Sequence, residues 1–266
     1  MIAASGAPFG RALNLQAVAG PLERAFSMKR APAVGLLINS PGGSPVQSSL
    51  IGQRIRDLAE AKNKPVFAFV EDVAASGGYW IASAADEIYA DKVSIIGSIG
   101  VVSAGFGFTG LIEKLGVERR VHTAGDKKAI LDPFRPERPE ELDKLRTLQT
   151  DMHTVFKDQI RSRRGDRLKT QGTELFTGEF WLGAQALDLG LIDGIGHFRG
   201  VLQSKFGDTV RPRLIGARRS WWQQRGSLSN SAGPLGADWT YGFGRGLADG
   251  VLETVESRSA WGRYGL

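Results

Sequence analysis

The 266-residue chain contains no cysteine, and that one absence removes disulfides, thiol nucleophiles and thiolate metal sites together. Histidine is almost as scarce: His122, His153 and His197 are the only three. Any histidine-based chemistry must draw on those. Long apolar runs are also missing, since no stretch approaches the roughly 18 residues that a membrane-spanning helix requires. The first residues lack the charged and apolar regions of a secretory signal. Acidic residues are outnumbered 28 to 34, giving a formal net charge of +6, yet the basic residues form no nucleic-acid-binding motif, and nucleic acid is not an expected partner. No H-E-x-x-H or clustered His/carboxylate spacing occurs, so neither a metal nor another cofactor is expected.

What is present reads as an ordinary globular protein, 42% hydrophobic and 23% charged. The length suits one large α/β domain, or a core domain with an appended segment. Met1 to Gly6 begins as though a strand were entered near its end. Leu22, Ala25 and Phe26 fall at helical intervals after a Gly20-Pro21 break. Val34 to Ile38 is a near-continuous apolar run, as in a parallel strand covered on both faces. Val46, Leu50, Ile51, Ile55 and Leu58 then trace an amphipathic helix, and Val66 to Val70 supplies the next strand.

That strand-helix-strand unit brings two turns to the carboxyl edge of one sheet, where ligand sites of open α/β folds gather. The first is Asn39-Ser40-Pro41-Gly42-Gly43, whose glycines permit close backbone approach. The second is Ala75-Ser76-Gly77-Gly78, where a serine stands between a strand and the helical composition of Tyr79 to Ala85. A serine there projects its hydroxyl beside unpaired N–H groups, a geometry used in acyl transfer.

Further along, Glu87 to Ala90 reads as a strand, and Ile95 to Val102 as a glycine-punctuated segment fit either to pair with an extended peptide or to form a bulged core strand. Phe108 to Leu115 predicts a helix ended by Gly116, and Val117 to His122 a strand. The apolar residues Leu142, Leu145, Leu148, Met152, Val155, Phe156 and Ile160 mark a long helix from Pro139 to Arg163, suited to an oligomer contact or to covering the core. Phe176-Thr177-Gly178 and Trp181 to Asp193 read as a turn, a capped helix and a final element. Beyond about Val210 the chain is basic, with Trp221-Trp222, a Gly/Ser-rich linker from Gly226 to Gly236 and a last helix from Arg245 to Glu256.

A hydroxyl needs a base. Neither His153, on the long helix, nor His197, in a glycine-rich stretch, is a compelling triad member, and His122, at a strand end, gives no reason to prefer a catalytic role to a structural one. The other common base is a lysine kept neutral by desolvation, and Lys127 and Lys128 both sit on a turn before Ala129-Ile130-Leu131.

Taken in order, Asn39-Ser40-Pro41-Gly42-Gly43, Ala75-Ser76-Gly77-Gly78-Tyr79-Trp80, Gly97-Ser98-Ile99-Gly100-Val101, Thr123-Ala124-Gly125-Asp126-Lys127-Lys128, Phe176-Thr177-Gly178 and Gly190-Leu191-Ile192-Asp193 closely resemble the signal peptide peptidase A family of serine peptidases, in its short SohB-like branch. The resemblance covers residues 33–196. It implies an α/β fold of the Clp protease/crotonase type, with a repeated ββα core and parallel sheet in a peptidase domain over 1–205 and a helical and flexible C-terminal extension over 206–266. It also implies a Ser/Lys dyad of Ser76 and Lys128, the G-x-x-K pattern from Gly125 selecting Lys128 over Lys127. The oxyanion hole falls on the N–H groups of Gly43 and Gly77, and substrate binding on Gly97, Ser98, Ile99, Gly100 and Val101.

The implied substrates are extended, apolar peptides such as signal-peptide remnants or membrane-associated proteins. The implied partners are further copies of the chain, in a homo-oligomer that can share active sites across subunits, and a membrane surface. A membrane-associated or cell-envelope setting follows from the family, a soluble cytoplasmic one from the missing anchor. Family members commonly carry a leading strand and an N-terminal anchor, so the start is expected either downstream of these or in a shortened soluble form. The alternatives are a crotonase-like acyl-CoA hydratase or isomerase, which would normally use carboxylates, and an inactive peptide-binding scaffold.

Overall fold

The computed structural model describes residues 2–3, 13–169 and 174–216; the expected C-terminal linker, tryptophan pair and last helix lie outside them. The chain enters on β1 (Ile2–Ala3), which pairs in parallel with the end of β2 (Val34–Ser40). Between them α1 (Leu15–Phe26) starts at Asn14, whose side chain accepts the Ala17 N–H at 2.9 Å. This helix runs through Gly20-Pro21 instead of breaking there. Pro21 removes one hydrogen bond, but Leu22 and Phe26 are buried in the core, and packing of that face outweighs the loss.

The α2 helix (Pro45–Lys62) is delimited as its sequence suggests. Ser44 caps it, Pro45 occupies the first turn, and Asn63 ends it in the left-handed conformation at φ 47°. Ile51, Ile55 and Leu58 turn inward.

The β3 strand (Val66–Ala75) is longer than Val66 to Val70 because it continues past a bulge. Its pairing with β2 passes from Ile38↔Val70 to Ser40↔Ala74, leaving Asn39 to face three residues. The Asn39 side chain fills the gap, donating to Asp72 Oδ2 at 2.6 Å and accepting the Val73 N–H at 3.3 Å. Before the bulge β3 pairs with β4 (Glu87–Ala90); after it, with β5 (Ile95–Gly97). Bulges redirect strands in this way. Here the redirected end carries Ser76 into α3 (Gly77–Ser83).

Beyond β5 come α4 (Thr109–Lys114) and the long α5 (Pro139–Arg164). Then β6 (Phe180–Leu182) pairs antiparallel with β5 and leads through α6 (Gly183–Asp188) to β7 (Gly194–Ile195) and α7 (Phe198–Phe206). The sheet order is β1-β2-β3-β4-β7, parallel throughout, with β5 and β6 off that path. Alternate residues of β2 and β3 face two cores. Leu36, Ile38, Ala68 and Val70 meet α1, α2 and α3, while Leu37, Phe67 and Phe69 meet α7. Phe69 stacks on Tyr89 and meets Phe198 edge-on.

Val117 to His122 is not a strand: the segment is exposed and has no pairing partner among the described residues. It belongs to a long excursion between β5 and α5 with few buried residues. The apolar stripe of α5 divides likewise. Phe156 and Ile160 are buried against the body, whereas Leu148, Met152 and Val155 are exposed.

Candidate active site

Ser76 occupies the junction of β3 and α3 with φ 50° and ψ −122°, a region that costs a non-glycine residue roughly 1–3 kcal/mol. The surroundings hold it there. Its N–H donates to Gly97 O at 2.8 Å, and its own carbonyl accepts the Trp80 N–H at 3.0 Å. Its backbone is therefore tied to β5 on one side and to the first turn of α3 on the other. The residue is half-buried, so the hydroxyl can meet a substrate.

The Pro-Gly-Gly turn after β2 lies directly against it. A Cβ on Gly42 would stand 3.0 Å from Ser76 Cβ and 3.4 Å from the Gly77 nitrogen, and Gly42 has φ 126°. A Cβ on Gly77 would fall 2.3 Å from Ser48 Oγ and 3.4 Å from the Gly43 nitrogen. Glycine is thus required at both turns because two backbones and α2 converge there. The Gly43 and Gly77 N–H groups stand together at the mouth of the turn, and neither is engaged by another described residue. On the Gly43 side a Cβ would meet nothing within 4 Å. Paired backbone donors of this kind are what an oxyanion site uses.

The far end of α3 is fixed by arginines. Arg163 donates to the carbonyls of Ser83, Ala84 and Ala85 at 3.0, 3.3 and 3.0 Å, and Arg56 to Ala84 O at 3.2 Å and Asp86 Oδ1 at 2.8 Å. These bonds satisfy carbonyls left free at a helix end. Arg164 is almost fully buried and binds Gly190 O and Asp193. Tyr79 donates its hydroxyl to Leu191 O at 2.7 Å, and burial pushes its phenol far above the ordinary value. It is a fixed neutral donor, and cannot serve Ser76 as a base.

The remaining expected site residues are distributed as follows. Gly97 ends β5 and accepts the Ser76 N–H. Ser98 has φ 51° and donates its N–H to Glu179 O at 2.6 Å. Ile99 is buried, with its carbonyl 3.1 Å from His153 Nε2, and Gly100 lies close against Gly178. Ile95 to Gly97 is therefore a sheet strand, while Ser98 to Val101 leaves the sheet beside the serine. His122 is exposed and His197 begins α7. Lys127 and Lys128 are exposed on the turn after Gly125, and the Lys128 amine has no hydrogen bond or ion pair among the described residues. Within one chain Ser76, Gly43, Gly77 and Gly97 come together; among the described residues Lys128 has no hydrogen bond to any of them.

The sequence profile of peptidase family S49 matches residues 59–206, from α2 through the serine turn to α7. The chain belongs to that family. It is the SppA/SohB-like family of serine peptidases, and its fold is of the Clp/crotonase type. Among relatives, a protein of Brucella abortus named Na(+)/H(+) antiporter NhaA is 51% identical over 258 residues, 96% of this chain and 34% of that protein. Protease 4 of Haemophilus influenzae is 37% identical over 68% of this chain and 29% of its own length. The chloroplastic serine protease SPPA of Arabidopsis thaliana is 37% identical over 63% of this chain and 24% of its own. The chain spans about a third of the length of the Brucella protein. Among the described residues no helix is long and apolar enough to cross a membrane.

Proposed function

We propose that this chain is a serine endopeptidase in which Ser76 is the nucleophile and Lys128 its general base. The observation that carries the reading is the strained Ser76 backbone, pressed against Gly42 with two free N–H donors alongside. In the proposed reaction Lys128, unprotonated, takes the Ser76 proton as Oγ attacks the peptide carbonyl. The carbonyl oxygen gains charge facing the N–H groups of Gly43 and Gly77, each such donor contributing about 2.7–4 kcal/mol in the transition state. The proton passes to the leaving amine, and a Lys128-activated water releases the acyl group. Residues 97–101 lie beside the serine and would carry the substrate backbone, taken as an extended, apolar peptide.

The lysine is supplied by a second copy. His153 ties α5 to Ile99 near the serine, and Glu141 ties it to Leu131 near the lysine. From 141 to 153 is roughly 18 Å along a helix, so α5 carries the Lys128 turn away from its own Ser76. The excursion bearing it exposes Val102, Phe106, Leu111, Leu115 and Val117, an apolar surface suited to burial in a homo-oligomer.

The test is hydrolysis of a fluorogenic apolar peptide by wild type, Ser76→Ala, Lys128→Ala and Lys127→Ala. The first two substitutions are expected to abolish turnover and the third to leave most of it. Mixing the two inactive variants and reassembling them should restore activity. An active Ser76→Ala protein would overturn the mechanism, and a mixture that stays inactive would overturn the shared site.

A further inference from the structure

The turn that carries Lys128 has no apolar core, yet it is closely fastened. Leu131, three residues on, is held at φ 55°, a conformation rare for a bulky side chain. Its N–H donates to Glu141 Oε2 at 2.9 Å. Glu141, in the first turn of α5, is only 4% exposed. Its other oxygen accepts Arg138 Nε at 2.7 Å and lies 3.5 Å from Arg135, which also donates to the carbonyl of Ala129, the residue after Lys128. A carboxylate is rarely buried at a helix start unless its bonds are needed. Here each of its side-chain hydrogen bonds among the described residues runs to the lysine turn or to the two arginines that follow it, Arg135 and Arg138. The opposite end of α5 is anchored to the serine body, where Phe156 stacks on Trp80 at 4.9 Å and Arg163 holds the last carbonyls of α3.

We infer that Glu141 is a positioning residue for the reaction: its buried carboxylate, working with Arg135, locks the Lys128 turn to the end of α5 and fixes where the amine is presented. The inference rests on the Ser76/Lys128 reading above. Glu141 touches neither substrate nor serine, and its influence passes through Lys128 alone. Loss of the latch should therefore lower kcat while leaving KM nearly unchanged. It should also have no effect once the lysine is gone, because residues acting through one group are not additive.

The experiment measures peptide turnover and the rate of Ser76 labelling by a fluorophosphonate, a probe whose good leaving group keeps labelling measurable without a base. Glu141→Ala, Glu141→Gln and Arg135→Gln are each made in the full chain, alone and on the Lys128→Ala background. Arg135 is a partly exposed side chain, so its variant should fold even where Glu141→Ala does not. Expected are a fall in kcat of at least tenfold for Glu141→Ala and about fivefold for Arg135→Gln, with KM within twofold. Glu141→Gln, which can still accept the Leu131 N–H, should recover most of the rate. On the Lys128→Ala background none of the three should slow labelling further. If Glu141→Ala and Arg135→Gln keep wild-type kcat, or slow labelling equally without the lysine, the positioning role is wrong while the dyad stands. If Lys128→Ala alone labels as fast as wild type, the dyad itself fails and the latch loses its object.

Discussion

Replacing Gly42 by alanine tests the serine site without touching a reacting group. Gly42 has φ 126°, and a Cβ there would stand 3.0 Å from Ser76 Cβ, closer than nearly all real Cβ contacts. The conformation alone costs an alanine roughly 1–3 kcal/mol. At about 2–4 °C per kcal/mol for a domain of this size, the thermal midpoint should fall by roughly 2–12 °C. The contact cannot be relieved on the Ser76 side, because that backbone is pinned by Gly97 and Trp80. The Pro-Gly-Gly turn must yield instead, and it takes the Gly43 N–H with it. Loss of one oxyanion donor costs about 2.7–4 kcal/mol, or 10²–10³ in kcat.

Gly43→Ala is the informative partner. Its φ of 152° is also strained, but the added Cβ meets no protein atom within 4 Å. It should project into the space left for the substrate, raising KM and lowering kcat while costing less stability than Gly42→Ala. Steady-state kinetics on the fluorogenic peptide, paired with thermal unfolding, separates the two. A Gly42→Ala enzyme within threefold of wild-type kcat would refute the placement of the oxyanion donor at Gly43.

Two further expectations concern the frame around the site. Arg164→Met should cost about 3–5 kcal/mol, because it leaves Asp193 and the Gly190 carbonyl without their buried partner; urea unfolding measures this, and a loss under 1 kcal/mol would contradict it. Stability should also fall in acid. Burial alone would raise the Asp193 pKa, but the hydrogen bonds and charge of Arg164 outweigh it and hold the carboxyl below its usual value. Glu141 is lowered by the Leu131 N–H and Arg138, and Asp132 by Arg119 and the Phe134 N–H. A lowered folded value stabilises above the unfolded pKa, about 3.9 for Asp and 4.3 for Glu, and that stability is lost as pH falls through the folded values. The thermal midpoint should therefore be level from pH 7 to about 5 and drop below about 4, and the drop should be shallower in Asp193→Asn. A midpoint unchanged at pH 3 would contradict this.

Much of the body was legible because its signals are local. The apolar spacing from Val46 to Leu58 matches α2, Glu87 to Ala90 matches β4, and the apolar runs of β2 and β3 mark strands covered on both faces. Ser76 and Pro41-Gly42-Gly43 share an edge because β2 and β3 are adjacent and parallel. Other features depended on partners distant in sequence. The bulge that lengthens β3 is set by Asn39, and nothing around Glu71 and Asp72 alone signals it. The α1 helix tolerates Pro21 because Leu22 and Phe26 are buried by other elements. Val117 to His122 has strand composition but no pairing partner among the described residues, so composition misled. Glu141 is an acidic residue at a helix start like many others; its proposed role depends on the left-handed turn at Leu131, which no local pattern reveals.

The two halves of the candidate site are held by different forces. Around Ser76 the neighbours are buried and apolar, and the strained backbone is over-determined by the sheet, α3 and the glycine contacts. Around Lys128 there is almost no apolar burial, and geometry comes from carboxylates shared among Arg119, Arg135 and Arg138. Apolar packing gives stability without direction, whereas ion-pair networks add little net stability but specify one arrangement. A lysine turn held this way keeps its shape while its exposed apolar surface stays available for another subunit. In the proposed mechanism, a single chain brings Ser76 and the Gly43 and Gly77 N–H groups together, and the base, held in a fixed orientation, acts on the serine of another copy. On this reading, peptide hydrolysis is tied to assembly: an isolated subunit holds a strained serine and two backbone donors but lacks the base that a second copy would supply.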